Sequence, residues 1–476
     1  MPGLILKNGT IITMDPERCV LEQSAIYIQN HFITEIGEAD FLEKMHPEAR
    51  VLDASKKAIL PGLIDSHAHA GHAMIKTMGD GDSARWYECV KAFYMDGATA
   101  AFWKADAQLA ALDRLKNGVT TGFTYFGGGD SISRVDDPMY ALEHLKSVHE
   151  VGVREILAVG PCRPPYPTEF TDLQNGKPRK KAVSFEQQLA HAEEVIRSGH
   201  KKISDRLQVG ITMPVYGRTE SDLAIIPALK GWAEQVKDLY KKYQVLFTQD
   251  GHRSGSIKFQ HEVLALSGPD AVFSHCVDLT EEELDLCQSL GIKIVHNPSA
   301  VSAIRGRCPV PELLDRGVTV MLGSDSAAPD RGCDMFRHMF HCMHYHRTFL
   351  KDEGSMPPGK VLEMTTLDAA RGLGMEKEIG SIEVGKRADI ILVDMNKPHL
   401  VPLNMMPSRI AYFAHGSDVD TVLVDGEILM ENRKVCRVNE EEILDTAQAE
   451  MELILDRTQT RAMLELSENY WNHSHY

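Results

Sequence analysis

AILPGLIDSHAHAGH, residues 58–72, is the stretch from which the fold can be read. Ile59, Leu60, Leu63 and Ile64 form an apolar, β-branched run that stops at His67-Ala68-His69. Such a run reads as a strand. Alternate side chains of a strand share a face, so the two imidazoles point the same way, about 6 to 7 Å apart, and can chelate one metal ion. A bare His-X-His also fits two polar residues at a strand exit. The remaining ligands must therefore come from elsewhere in the chain.

Outward from this stretch the pattern repeats. Strand-like runs are expected at about 59–66, 119–126 (VTTGFTYF), 153–160 (VREILAVG), 206–213 (RLQVGITM), 244–250 (QVLFTQD), 271–275 (AVFSH), 292–296 (IKIVH) and 318–323 (VTVMLG). Amphipathic stretches lie between them, among them Ala105–Asn117, Tyr140–Glu150, Phe185–Ser198, Leu223–Tyr243, Glu281–Leu290 and Met335–Leu350. Eight β runs, each followed by a helical segment, are the arithmetic of a (β/α)8 TIM-like barrel in an α/β chain. Gly127-Gly128-Gly129 lacks the GxGxxG spacing of a dinucleotide cradle, which disfavours a doubly wound sheet.

Both ends of the chain have a different texture. LILKNGTIITMD and AIYIQNHFITEIG near the N-terminus, and SIEVGKRADIILVD and VDTVLVDGEILMEN after residue 380, are short β runs with hairpin signals such as Asn8-Gly9 and Asp425-Gly426. The simplest arrangement is one small β-sandwich assembled from residues 1–58 and 379–438, with the barrel of 59–378 inserted between and a helix and tail over 439–476.

The bulk numbers agree with an ordinary globular protein. At 476 residues the chain exceeds a single small core, and a net charge of −17 argues against nucleic-acid or anionic-membrane partners. No apolar run approaches the ~20 residues needed to span a bilayer. The N-terminus lacks the charged and apolar regions of a leader. Nine cysteines without a CxxC pair read as reduced thiols. These features predict a cytoplasmic protein with a small-molecule substrate.

Barrel enzymes place reacting groups at the C-terminal ends of their strands. Five of the eight expected ends carry such groups: His67 and His69; Gln249-Asp250 with His252 and Arg253 just beyond; His275; His296; and Asp325. PGLIDSHAH, SHCVDLTEEEL, IVHNPSAV, CPVPELLDRGV, MLGSDS and the closing GSIEVGKRADIILVD together resemble the amidohydrolase superfamily, in the branch of cytosine and guanine deaminases and triazine chlorohydrolases. The resemblance implies a barrel with a flanking β-sandwich and one divalent metal ion per subunit that activates water, zinc first, with Fe, Co or Mn compatible. It also implies a homo-oligomer.

Carried over by position, the resemblance makes His67 and His69 metal ligands. Asp325 becomes a ligand and proton acceptor, and His275 a catalytic residue that bonds the attacking oxygen. In this branch strand five ends in a ligand His, followed three residues later by a catalytic Glu. Here Asp250 takes the first position and Arg253 the second. Asp250 is the favoured strand-five ligand, with Gln249 and His252 as alternatives and His252 a further catalytic candidate. Arg253 cannot protonate a ring nitrogen as a Glu would. The main expectation is therefore hydrolysis of a C–N bond in a urea, carbamate or amide, such as an aryl-substituted xenobiotic of the phenylurea type. The alternatives are an aminohydrolase or dechlorinase of a nitrogen heterocycle, and a non-catalytic scaffold. ITMPVYG at the fourth strand end has no lysine, so no binuclear centre is implied.

His72, Trp86, Arg253 and Arg305 are candidate substrate-binding residues. An aromatic group around Trp86, Tyr87, Phe93, Tyr94 and Trp103 would form a lid suited to an apolar substrate. His338, His341, His344 and His346 after the eighth strand are read as helix-surface or subunit-contact residues.

Overall fold

The computed structural model describes residues 3–79, 81–129, 132–173, 177–300, 305–467 and 470–474. Eight parallel strands lie in sequence order: Leu63–His69, Val119–Tyr125, Arg154–Val159, Leu207–Thr212, Phe247–Gln249, Ala271–Ser274, Lys293–His296 and Val320–Leu322. Ile64, Phe123, Ile156, Val272, Val295 and Met321 fill the interior against Leu373, Met375 and Ile379. The first and last strands meet at their C-terminal ends. There the Asp325 N–H donates to the His67 carbonyl at 2.8 Å, and the His69 N–H to that of Ser326 at 3.2 Å. Gly323 permits this approach, because a Cβ there would lie 2.7 Å from the His67 Cβ and 2.4 Å from Asn297 Oδ1. The (β/α)8 expectation holds, with all eight barrel strands present.

One expected strand is two. Lys57–Pro61 pairs antiparallel with Ile390–Asp394, whereas Leu63–His69 pairs parallel with Val119–Tyr125. The chain changes sheet at Gly62, whose N–H donates to the Asp389 carbonyl at 2.9 Å and whose missing Cβ leaves room for Thr120. The expected helix at 223–243 is also divided, into Glu220–Ala224 and Ile226–Tyr243. Pro227 opens the longer piece, at a position where its absent N–H costs nothing.

Two further sheets flank the barrel. One takes Phe32–Glu38, Ser24–Gln29, Leu4–Lys7 and Arg50–Asp53. The other joins strands from both chain ends, with Lys57–Pro61 between Ile390–Asp394 and Thr10–Ile12. Leu4, Ile26, Ile59, Ile390 and Leu423 belong to the core they share. Buried charge ties this unit to the barrel. Arg154, on the third barrel strand, reaches Asp389 at 3.1 Å and Asp425 at 2.8 Å, and Arg206 reaches Asp425 at 2.9 Å. Removing one partner of such a set strands a buried charge, which typically costs about 3–5 kcal/mol. Among the described residues no helix is long and apolar enough to cross a membrane.

Candidate metal centre

His67 and His69 leave the first strand on one face, and both are buried. The His69 Nδ1–H donates to the Gly127 carbonyl at 2.8 Å, which leaves its Nε2 as the free donor atom. Neither nitrogen of His67 has a hydrogen-bond partner although both are buried. Asp65, two residues earlier, accepts the Ser324 N–H at 2.8 Å and its Oγ–H at 2.7 Å, fixing the turn that carries Asp325. Asp325 and His275 both hold positive φ, +56° and +65°. Non-glycine residues in this left-handed region cost about 1–3 kcal/mol each and concentrate at functional sites.

Four side chains converge. His67 Nε2 lies 3.4 Å from Asp250 Oδ1 and 3.3 Å from Asp325 Oδ1. His69 Nε2 lies 3.5 Å from Asp250 Oδ2 and 3.1 Å from Asp325 Oδ1. Tetrahedral donors about 2.1 Å from a shared ion would stand about 3.4 Å apart, and two groups with close-set donor atoms share His67: His67, His69 and Asp325, and His67, Asp250 and His275. Burial works against ionising Asp250, but His67, His275 and His69 outweigh it and lower its pKa. Burial likewise opposes ionisation of Asp325, and Arg331 and His275 hold it well below the usual carboxylate range. Two imidazoles and two carboxylates make a hard, anionic set. His275 Nε2 stands beside it, 3.0 Å from Asp250 Oδ1.

The three strand-five candidates separate cleanly. Gln249 donates from Nε2 to the Pro214 carbonyl at 3.0 Å. The His252 ring stacks on Phe273 at 4.1 Å between centroids, and its Nδ1 lies 2.9 Å from Ser256 Oγ. Ser256 Oγ–H is committed to the Arg253 carbonyl at 2.6 Å, so it is His252 that donates and its buried Nε2 keeps a bare lone pair. Burial pushes His252 down to about 3. Asp250 alone of the three enters the cluster, and Ser274 Oγ donates to its Oδ1 at 2.9 Å.

Of the expected substrate contacts, His72 is buried with its ring 4.5 Å from that of His69, and Trp86 lies 5.8 Å from His72. Arg253 and Arg305 are exposed, so the structure does not bring them to the cluster. Three residues enter unannounced. The Tyr125 ring packs 4.9 Å from His67, and its place at the end of the second strand marked it by the same strand-end rule. Arg331 Nε lies 3.4 Å from Asp325 Oδ2, on a loop whose path no periodicity reveals.

Asp106 is the third. It is fully buried and accepts the Gly71 N–H at 2.6 Å and the Ala73 N–H at 3.1 Å, bracing the turn that presents His72. Burial pushes its carboxyl up to about 6. Asp106→Ala leaves two buried donors unmatched and is expected to lower stability by about 1–3 kcal/mol, read from the denaturation midpoint.

With this geometry in hand, comparison with known proteins places the chain. Residues 236–429 match the model of the amidohydrolase family. The chain is 30% identical over 457 residues to a 5-methylthioadenosine/S-adenosylhomocysteine deaminase of Syntrophobacter fumaroxidans, covering 93% of this chain and 96% of that one. It is 28% identical over 465 residues to a 5'-deoxyadenosine deaminase of Methanosarcina mazei, covering 96% and 99%. A solved adenosine deaminase from Xanthomonas campestris with bound zinc superposes with a TM-score of 0.80 at 21% identity, over 96% of this chain and 98% of that one. The chain belongs to the amidohydrolase family, as a hydrolase acting on carbon–nitrogen bonds other than peptide bonds.

Proposed function

We propose that this protein is an aminohydrolase that removes an exocyclic amino group from a nitrogen heterocycle, with a 5'-substituted adenosine as its substrate class. The observation that carries the reading is the end-to-end match to deaminases of such nucleosides, over 93–96% of this chain. It favours the heterocycle alternative over urea or carbamate hydrolysis.

His67, His69, Asp250 and Asp325 would hold the ion, zinc being the first choice for two imidazoles beside carboxylates. Such an ion lowers the pKa of bound water towards neutrality and stabilises negative charge on the oxygen that adds to the ring carbon. Asp325 accepts one proton of the attacking water and passes it to the departing amino group, which leaves as ammonia. His275 bonds the incoming oxygen. The second water proton ends on the ring nitrogen of the oxo product. His252, whose buried Nε2 keeps a bare lone pair, can accept that second water proton and return it to the ring nitrogen in place of the absent glutamate. His72 and Trp86 border the substrate.

One observation favours the urea or carbamate reading. The position where the resemblance expects a ring-protonating glutamate is Arg253, and it is exposed. A substrate panel separates the two. Release of one ammonia per 5'-deoxyadenosine or 5'-methylthioadenosine consumed, with the blue shift of an aminopurine becoming an oxopurine, is the expected result. Turnover confined to aryl ureas or thiocarbamates would overturn it. Nine cysteines without a CxxC pair support a reducing, cytoplasmic compartment. Exposed Leu403, Met405 and Phe413 support contact between subunits in a homo-oligomer.

A further inference from the structure

A second cluster of ligating side chains lies outside the barrel interior. Along the seventh strand Val295 points inward, whereas Ile294 and His296 point outward, as a two-residue period requires. Helix Met335–Leu350 covers this outer face. Cys342 and His346 stand four residues apart on it, hence on one side of the helix. His296, Cys342 and His346 are each fully buried. One nitrogen of each imidazole and the Cys342 Sγ all lie within 4.8 Å of one another. The two Nε2 atoms are 3.3 Å apart, again the spacing of donors that share an ion. His346, expected on a helix surface, is instead interior, and so is His338.

We propose that His296, Cys342 and His346 form a structural zinc site, distinct from the catalytic centre, that pins this helix to the seventh strand. Without an ion the two Nε2 atoms hydrogen-bond to one another, and both Nδ1 atoms are buried without partners. Burial keeps both histidines neutral at physiological pH, the form a metal requires, with His346 pushed down to about 4. Burial also raises the Cys342 thiol, so it ionises only when a cation takes the place of its proton. One thiolate and two imidazoles select zinc over calcium or magnesium. Cys308 is buried close enough for the Cys342 thiol to raise its own pKa, so a second sulfur stands in the same region. The site begins one residue before Asn297, whose Nδ2 lies 3.4 Å from His275 Nδ1, so the clamp would hold the end of the seventh strand against the catalytic histidine.

The test uses the full-length protein loaded with zinc alone and, separately, with cobalt alone. The wild type is expected to hold two zinc equivalents, and His67→Ala and Cys342→Ala one each. The catalytic donors are all nitrogen and oxygen, so a thiolate-to-cobalt charge-transfer band in the near ultraviolet reports the second site. The band should be present in the wild type and in His67→Ala, and lost in Cys342→Ala. A single zinc equivalent in the wild type, no thiolate band, or a band that survives Cys342→Ala would each overturn the proposal. The wild-type spectrum decides the matter even if the cysteine variant fails to fold.

Discussion

Asp325→Asn is expected to keep the fold and a stoichiometric metal ion while losing about 10²–10⁴-fold in turnover, the range lost with a positioned acid–base group. Asparagine is nearly isosteric and retains one carbonyl oxygen, so the backbone bond from Asp325 N–H to His67 O has no reason to break. What it lacks is basicity. Asp325 is held ionised by Arg331 and His275 against the effect of burial, and its Oδ1 lies between His67 and His69. No other carboxylate of the cluster can take over, because Asp250 accepts from Ser274 and faces His275 at 3.0 Å. Steady-state turnover paired with metal analysis of the same preparation checks this. Near-normal activity in a metal-replete variant would mean that the proton travels another way.

His67→Ala is expected to abolish stoichiometric metal at the catalytic centre and reduce turnover to background. This side chain is fully buried and its Nε2 faces Asp325 at 3.3 Å and Asp250 at 3.4 Å, the placement of a ligand that shares an ion with those carboxylates. Chelator-treated wild type should behave in the same way. Added zinc should restore the wild type and leave His67→Ala inactive.

Much of this was legible in the chain. Fully buried parallel strands give unbroken apolar runs, and each barrel strand ends where such a run gives way to a polar group. Counting those ends found His67, His69, Asp250, His275 and Asp325 without a contact map. The change of sheet at Gly62 was not legible, because Ile59 to Ile64 is equally apolar on both sides of it. Arg253 and Arg305 are exposed, and proximity in sequence to a ligand says little about which way a loop residue turns. The helix after the eighth strand holds the most instructive case. Treating its histidines as one group suggested a surface. Positions 338, 342 and 346 recur every four residues and share a buried face, a signal that appears only when the cysteine is counted with the histidines.

The strand-five departure remains the crux, since the proposed donor set has Asp250 in place of a histidine. Anomalous diffraction recorded above and below the zinc absorption edge, on crystals of the full chain, tests it most directly. Apart from any zinc at His296, Cys342 and His346, the account predicts a strong peak bonded to His67, His69, Asp250 and Asp325, with His252 Nε2 outside bonding distance. A peak coordinated by His252 or Gln249 and not by Asp250, or no peak among these residues, would contradict it.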